Sequence, residues 1–332
     1  MDQHQHQNLE QLLSKWESAL EVYGTPQDFT ARSRVQSIPN PDNSDEAAWT
    51  VIYSEGFHRR KELMKEEQKK LQEEKQLQGE KKPFLTSGKS DKNFSDQDPC
   101  LLCPNVVRAQ SQGANLLLPW ETFQKSILAP NRYPAITAHC LLIQKQHDPT
   151  GRKISGSVTP AYLENLMQVA KDYGLAAFRN HRLAGMSIPD HEHAHLYPRE
   201  WNDQNKCLPA AGIFRSQLEP TPFGDSIYKA SSSRFDTIIF RGQYAAEGIL
   251  SVMEKMEDDS QIFTFAHDAG TFFLTPHRKA DPPDAQKMYS NSNNALYFSV
   301  VRPDQSFSFQ ETMANVESFH WAKGTFPWEK YF

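Results

Sequence analysis

The 332-residue sequence predicts an α+β fold: an antiparallel sheet with flanking helices. Two observations carry that class. Helical and strand-like segments are mixed without the regular strand–helix–strand alternation of a parallel sheet. The strand-like segments also look antiparallel. A third observation concerns organisation. Apolar residues make up 38% of the chain, below the roughly 45–50% usual for globular proteins, and the polarity is concentrated between about Arg59 and Asp98. Length alone suits about two domains. The division expected is an N-terminal helix and loop over 1–58 and a charged helix or linker over 59–98. A half that carries the chemistry follows over 99–200, and a second α+β half packs on it over 201–332.

The elements follow in order. Leu9, Leu12, Leu13, Trp16 and Leu20 recur at helical spacing, so a helix is expected over about 8–22, closed by Gly24-Thr25-Pro26. Residues 25–50 are rich in Pro, Asn, Asp and Ser and read as loop, with a short strand at Trp49–Tyr53. From Arg59 to Lys82 lysines interleave with Glu62, Glu66, Glu67, Glu73 and Glu74, the pattern of a solvated helix rather than a basic arm. Strands are expected near 115–118, 125–129 and 138–145. A helix should cover about 160–173, capped by Thr159 with Pro160 in its first turn. Its buried face would be Tyr162, Leu163, Leu166, Met167 and Ala170, and Gly174 would end it. Strands at 175–179 and about 190–197 come next. The remainder offers strands near 235–240, 261–266, 270–276 and 295–301 and a helix over 243–257. One faint internal echo, Cys140–His147 against Phe272–His277 with Arg278, raises a diverged duplication within the chain.

Composition excludes several classes. A net charge of -5 and a pI near 6.2 lack the basic surplus of a nucleic-acid binder. No apolar run reaches the roughly 18 residues of a membrane span, and Met1-Asp2-Gln3-His4 does not begin a signal peptide. Four cysteines make no disulfide framework. A cytoplasmic protein with neither a nucleic-acid nor a membrane partner is the expectation.

The sharpest chemical signal is His191-Glu192-His193-Ala194-His195-Leu196-Tyr197. On a strand, the period of two puts His191, His193 and His195 on one face. A neutral imidazole there can attack phosphorus while a neighbour holds its tautomer or donates a proton. Three imidazoles can equally hold a transition metal. Just upstream, Asn180 through Asp190 bring a glycine, Gly185, and a hydroxyl, Ser187, where backbone N–H groups could cradle a phosphate. Further upstream lies Asn131-Arg132-Tyr133-Pro134, then His139-Cys140-Leu141-Leu142-Ile143-Gln144-Lys145-Gln146-His147.

Together these blocks resemble the histidine-triad (HIT) superfamily of nucleotide hydrolases and transferases, whose members show N-x-Y-P … H-L-L-I-x-K-x-H followed by N … G-x-S … H-x-H-x-H. The resemblance covers about residues 98–200. It implies a HIT-like antiparallel sheet and makes His193 the nucleophile on the α-phosphorus, forming a nucleotidyl-histidine. His195 and His139 would assist by hydrogen bonding or proton transfer. Asn180, Gly185 and Ser187 would contact phosphates, and Asn131 would lie near the nucleotide. Length and the suggested duplication make the chain look closest to the larger branch, with the galactose-1-phosphate uridylyltransferases, dinucleoside tetraphosphate phosphorylases and GDP-hexose phosphorylases. The substrate implied is a dinucleoside polyphosphate or a nucleotide sugar, handled by a monomer or homodimer. His195 stands where those transferases often carry Gln, so water and phosphate both stay open as acceptors. Glu192 and Ala194 are unusual where many members are hydrophobic, and packing on the opposite strand face is their expected role. Two other readings stay open: a nucleotide-binding protein without turnover, and a metalloenzyme with a three-histidine site.

Cys100-Leu101-Leu102-Cys103 is a Cys-x-x-Cys. With His147 and His191 it makes a plausible four-ligand structural zinc site, and the same branch looks similar in this pairing. Of the remaining motifs, Pro276-His277-Arg278-Lys279 reads as the exposed end of a strand. The loop Tyr289–Asn294 reads as connection, and the aromatic clusters at Phe319–Trp321 and Phe326–Trp328 as a tail packed on the core. Cys140 is expected to be buried, and Cys207 has no visible partner.

Overall fold

The computed structural model describes residues 3–22, 34–39, 49–54, 126–131, 134–144, 158–181, 191–199, 218–230, 233, 235–278, 298–301 and 317–332, with Arg59, Leu102 and Gln310 as isolated positions. The expected strand at 115–118, nearly all of the charged 59–98 segment, the 289–294 loop and Cys207 lie outside them.

A nine-stranded antiparallel sheet organises the molecule. Its first half is β3 (Ser126–Pro130), β4 (Cys140–Gln144), helix α2 (Pro160–Asp172), β5 (Leu175–Arg179) and β6 (His193–Pro198). The second half is β7 (Leu218–Thr221), β8 (Gly224–Ala230), β9 (Ile238–Arg241), helix α3 (Ala245–Asp258), β10 (Ile262–Asp268) and β11 (Thr271–His277). The N-terminal helix α1 runs over Gln3–Val22. A small second sheet joins β1 (Arg34–Ile38), β2 (Trp49–Tyr53) and β12 (Phe298–Val301) in the order β1-β2-β12. Strand β1 falls where the Pro- and Asn-rich composition predicts loop. Its antiparallel partner β2 supplies the hydrogen bonds that override local propensity.

The spatial order β3-β4-β6-β5-β10-β11-β9-β8-β7 contains a repeat. In each half two strands, a helix and two strands are arranged so that the last two exchange places: β3-β4-β6-β5 and β8-β9-β11-β10. The halves meet where β5 pairs antiparallel with β10, Arg179 opposite Phe265 and Ala177 opposite His267. The duplication is therefore visible in topology, but the sequence echo joins the wrong strands. Its first member lies on β4, whose counterpart is β9, while its second lies on β11, whose counterpart is β6.

Alternation along the strands sends one set of residues to the helices. Leu128, Cys140, Leu142, Ala194, Leu196, Leu175 and Ala177 pack with Leu163, Leu166 and Val169 of α2. Phe263, Phe265, Phe272, Leu274 and Phe240 pack with Ile249, Met253 and Met256 of α3. Burying a side chain of this size stabilises by about 1.5–3 kcal/mol. Thr159 caps α2, its Oγ accepting from the Tyr162 N–H, and Gly174 ends the helix at φ 61°. Met167, expected in the buried face, is only partly buried, and Val169 takes its place. The β10–β11 hairpin turns on Ala269-Gly270, both with positive φ, the primed geometry that matches strand twist.

The C-terminal tail packs on the core as expected, with Phe326, Trp328 and Tyr331 buried. It is held by Asp236, whose carboxylate accepts from the N–H groups of Gly324, Thr325 and Phe326 at 2.9, 2.7 and 2.6 Å. His277 is not an exposed strand end. It is 2% accessible, bridged to His320 where the tail enters between β11 and the approach to β9, and burial pushes its imidazole well below the usual pKa. Among the described residues, no helix is long and apolar enough to cross a membrane.

Candidate active site

The face of the sheet opposite the helices carries His139, His193 and His195. Strand β6 begins at His193, not three residues earlier, so His193, His195 and Tyr197 share that face while His191 lies in the approach to the strand. His191 is fully buried, with Nε2 2.7 Å from the Gln144 carbonyl oxygen.

Hydrogen bonds assign the tautomers. His193 Nδ1 is 2.8 Å from the His191 carbonyl oxygen. A carbonyl only accepts, so Nδ1 carries the proton and Nε2 carries the lone pair. Burial holds the His193 imidazole below its usual pKa, against the opposing pull of that carbonyl and of Glu192, which favours the neutral, nucleophilic form. His139 is arranged the other way. The Ala135 N–H donates to its Nδ1 at 3.1 Å, so its proton sits on Nε2, which lies 3.0 Å from His195 Nδ1. His195 Nδ1 then accepts, and its own proton is on Nε2. Ala135 N–H, His139 and His195 thus form a directed chain beside the His193 ring, whose centroid is 5.4 Å from that of His195.

The chain is braced from several sides. The His139 carbonyl accepts from Asn131 N–H at 2.9 Å and from Trp16 Nε1 of α1 at 3.1 Å. The Asn131 side-chain amide lies beside the same ring, 3.1 Å from His139 Nε2; with the proton on Nε2, it is the amide oxygen that can accept there. Ala138, in the preceding turn, is fully buried at φ 59°, a left-handed conformation that costs an L-residue roughly 1–2 kcal/mol. His139 stacks on Tyr197 at 4.3 Å and His195 on Phe178 at 4.9 Å. Tyr197 was legible only as a period-two companion of the histidines, while Phe178 on β5 and Trp16 on α1 carried no signal beyond their places in apolar segments.

Asn180 is 5% accessible and its Oδ1 has no hydrogen-bond partner. Continuing the β5–β6 register, in which Phe178 faces His195, puts Asn180 at the position opposite His193. Asn131, His139, Asn180, His193 and His195 are therefore brought to one side of β4, β5 and β6. Gly185 and Ser187 lie outside the described residues, as do Cys100, Cys103 and His147. Among the described residues, no group of three or more His, Cys, Asp or Glu side chains could hold a metal ion. This corrects the three-histidine metal alternative. His191 lies in the approach to β6 with its Nε2 on the Gln144 carbonyl, so it does not share the strand face of His193 and His195.

Glu192 and Ala194 point to the helix side. Ala194 is packed in the core as expected of a small residue, but Glu192 makes a buried bidentate ion pair with Arg179. The distances are 2.6 Å from Nε to Oε1 and 2.7 Å from Nη2 to Oε2.

No family model matches the chain, and no curated protein matches it. Solved structures do. A crystal structure of yeast Ap4A phosphorylase Apa2 is similar over 97% of this chain and 98% of that one, with a TM-score of 0.57 at 11% identity. The same enzyme in complex with Ap4A gives 0.56 at 12% identity over 96% and 99%. Its complex with AMP gives 0.56 at 11% over 96% and 98%. The large antiparallel sheet with its few flanking helices is the fold this chain shares with them.

Proposed function

We propose that this protein is an enzyme that breaks or exchanges a phosphoanhydride bond through a nucleotidyl-His193 intermediate. The observation that carries the reading is the hydrogen bond from His193 Nδ1 to the His191 carbonyl, which leaves the Nε2 lone pair on a buried, neutral ring. Nε2 attacks the α-phosphorus, an N–P bond forms, and the anhydride P–O bond breaks. The leaving phosphate oxygen departs as an anion that accepts a hydrogen bond from His195 Nε2–H, whose direction the hydrogen bond from His139 Nε2 to His195 Nδ1 sets. Water or phosphate then attacks the same phosphorus, the N–P bond breaks with its electron pair returning to His193 Nε2, and the proton of an attacking water passes to solvent. Two displacements replace one difficult step, and phosphoryl-type chemistry gains chiefly from positioning and charge stabilisation. Asn180, with its unpartnered buried oxygen, Asn131, Gly185 and Ser187 complete the substrate contacts.

The substrate class is a dinucleoside polyphosphate or a nucleotide sugar, and the acting unit is a monomer or homodimer in the cytoplasm. Fold likeness to a phosphorylase crystallised with Ap4A and with AMP supports the nucleotide.

A structural zinc on Cys100, Cys103, His147 and His191 belongs to the same reading. Two thiolates and two imidazoles suit a closed tetrahedral site. The Gln144 carbonyl on His191 Nε2 is the outer hydrogen bond that orients a ligating histidine. Bound there, zinc would tie chain segments together and take no part in the displacement.

The test is product release from diadenosine polyphosphates, GDP- and UDP-sugars, ADP and adenosine phosphoramidate, with and without added phosphate, by wild type and His193→Ala. Wild-type turnover that the variant loses while keeping its melting temperature is the expected result. A phosphate requirement would identify a phosphorylase. Nucleotide binding without product from wild type, or full activity in His193→Ala, would overturn the reading.

A further inference from the structure

We propose that Arg179 and Glu192 are positioning residues for His193, retained for the direction they impose on the strand that carries it. This rests on the nucleophilic role of His193 given above. Glu192 sits between the residue whose carbonyl sets the His193 tautomer and His193 itself. Its side chain, on the helix face, is gripped by Arg179 in a two-point pair with side-chain accessibilities of 3% and 2%. Two parallel charge-assisted hydrogen bonds fix the plane of a carboxylate as well as its distance. Its main chain is held as well, because the Gln144 N–H donates to the Glu192 carbonyl at 3.0 Å. The 191–193 peptide is thus held at a side chain and at the backbone. Rotation at Glu192 would swing the His191 carbonyl away from His193 Nδ1.

Stability alone does not account for the pair. Taking two charges out of water costs several kcal/mol each, and well-packed apolar side chains of similar volume commonly do as well or better. Here the cost is greater still, because Arg179 Nη1 has no hydrogen-bond partner. Phe265 stands opposite Arg179 in the β5–β10 register, and Glu257 and Tyr162 are the other groups whose charge acts on its guanidinium. A leucine has no direction to hold, and that is what the ion pair adds.

The experiment compares Arg179→Leu, Glu192→Leu and the double variant with wild type in three measurements. These are the melting temperature, kcat and KM on a substrate turned over by wild type, and the ¹⁵N shifts of the His193 ring in labelled protein. Each single variant leaves one charge buried and should melt well below wild type. The double variant should recover to within several degrees. Its kcat should stay at least about tenfold down with KM within about twofold, as a misplaced reacting group predicts, and its His193 ring should show mixed tautomers. Recovery of kcat and of a single Nδ1–H tautomer together with stability would mean a purely structural pair and would overturn the proposal. The ring shifts need no substrate, so they decide the point even where no turnover is found. If the double variant does not fold, the isosteric Glu192→Gln takes its place, and unchanged kcat and tautomer in it overturn the proposal equally.

Discussion

Replacing His267 with Phe should flatten the loss of stability that the protein suffers between about pH 7 and pH 5. His267 lies on the helix side of β10, 2% accessible, with neither ring nitrogen hydrogen-bonded and its ring 4.7 Å from Phe272. Burial, and secondarily the Arg199 guanidinium, pull its pKa from 6.5 to about 3. Arg199 is itself ion-paired to Asp268, and Lys171 and Glu164 line the same groove. With the folded value depressed, the unfolded chain takes up a proton below 6.5 that the folded chain refuses until about pH 3. Stability from keeping this ring neutral is therefore complete above 6.5 and lost through that window, at 1.36 kcal/mol per pH unit. From pH 6.5 to 5 this amounts to about 2 kcal/mol, a sizeable part of a typical total of about 5–15 kcal/mol. Phe keeps the aromatic contact, removes the titration and leaves no unpartnered nitrogen. Urea unfolding of both proteins at pH 7 and pH 5 reads the difference, in which acid effects of other groups, His277 included, cancel. Parallel stability losses in the two proteins would refute the reasoning.

Two further outcomes are open to measurement. Asp236→Ala removes the acceptor of three backbone N–H groups, and at about 1.5–3 kcal/mol for each charge-assisted bond it should cost at least about 4.5 kcal/mol. Hydrogen exchange at Gly324, Thr325 and Phe326 should rise by orders of magnitude, and unchanged protection there would show that burial of Phe326 and Trp328 holds the tail alone. Purified wild type should carry about one zinc per chain by elemental analysis, and Cys100→Ser should lower both metal content and melting temperature. Wild type free of zinc when prepared without chelators would remove the metal from the reading.

How far these features could be read from the sequence depended on the range of the interactions that make them. Thr159, Pro160 and Gly174 mark the limits of α2 through hydrogen bonds and dihedral angles a few residues long, and those limits emerge where expected. The histidines of β6 were equally plain, because a period of two is local. What local pattern does not contain is the partner. Glu192 shows its meaning only when β5 brings Arg179 alongside, and β1 exists because β2 pairs with it across intervening loop. The internal echo failed for the same reason. It compared apolar runs ending in histidine, whereas the repeat lies in the order of strands across the sheet, which similar runs in non-equivalent positions can mimic. His191 was placed on the strand by alternation alone, and the side-chain bond to Gln144 O that marks its true setting leaves no trace in spacing.

The seam between the repeats also bears on how the chain reaches this state during synthesis. Once β6 has paired with β5, the first repeat is a four-stranded sheet edged by β3, which stays an edge, and by β5, which does not. There Ala177, Phe178 and Arg179 wait for His267, Ala266 and Phe265, which leave the ribosome only after β7, β8, β9 and α3. For that interval the nascent chain presents an open β-edge beside its most valuable hairpin, and such edges recruit other chains. A buried arginine at the last position of that margin is a poor template for a stranger's strand. The residue that steadies the finished site thus also guards the unfinished one.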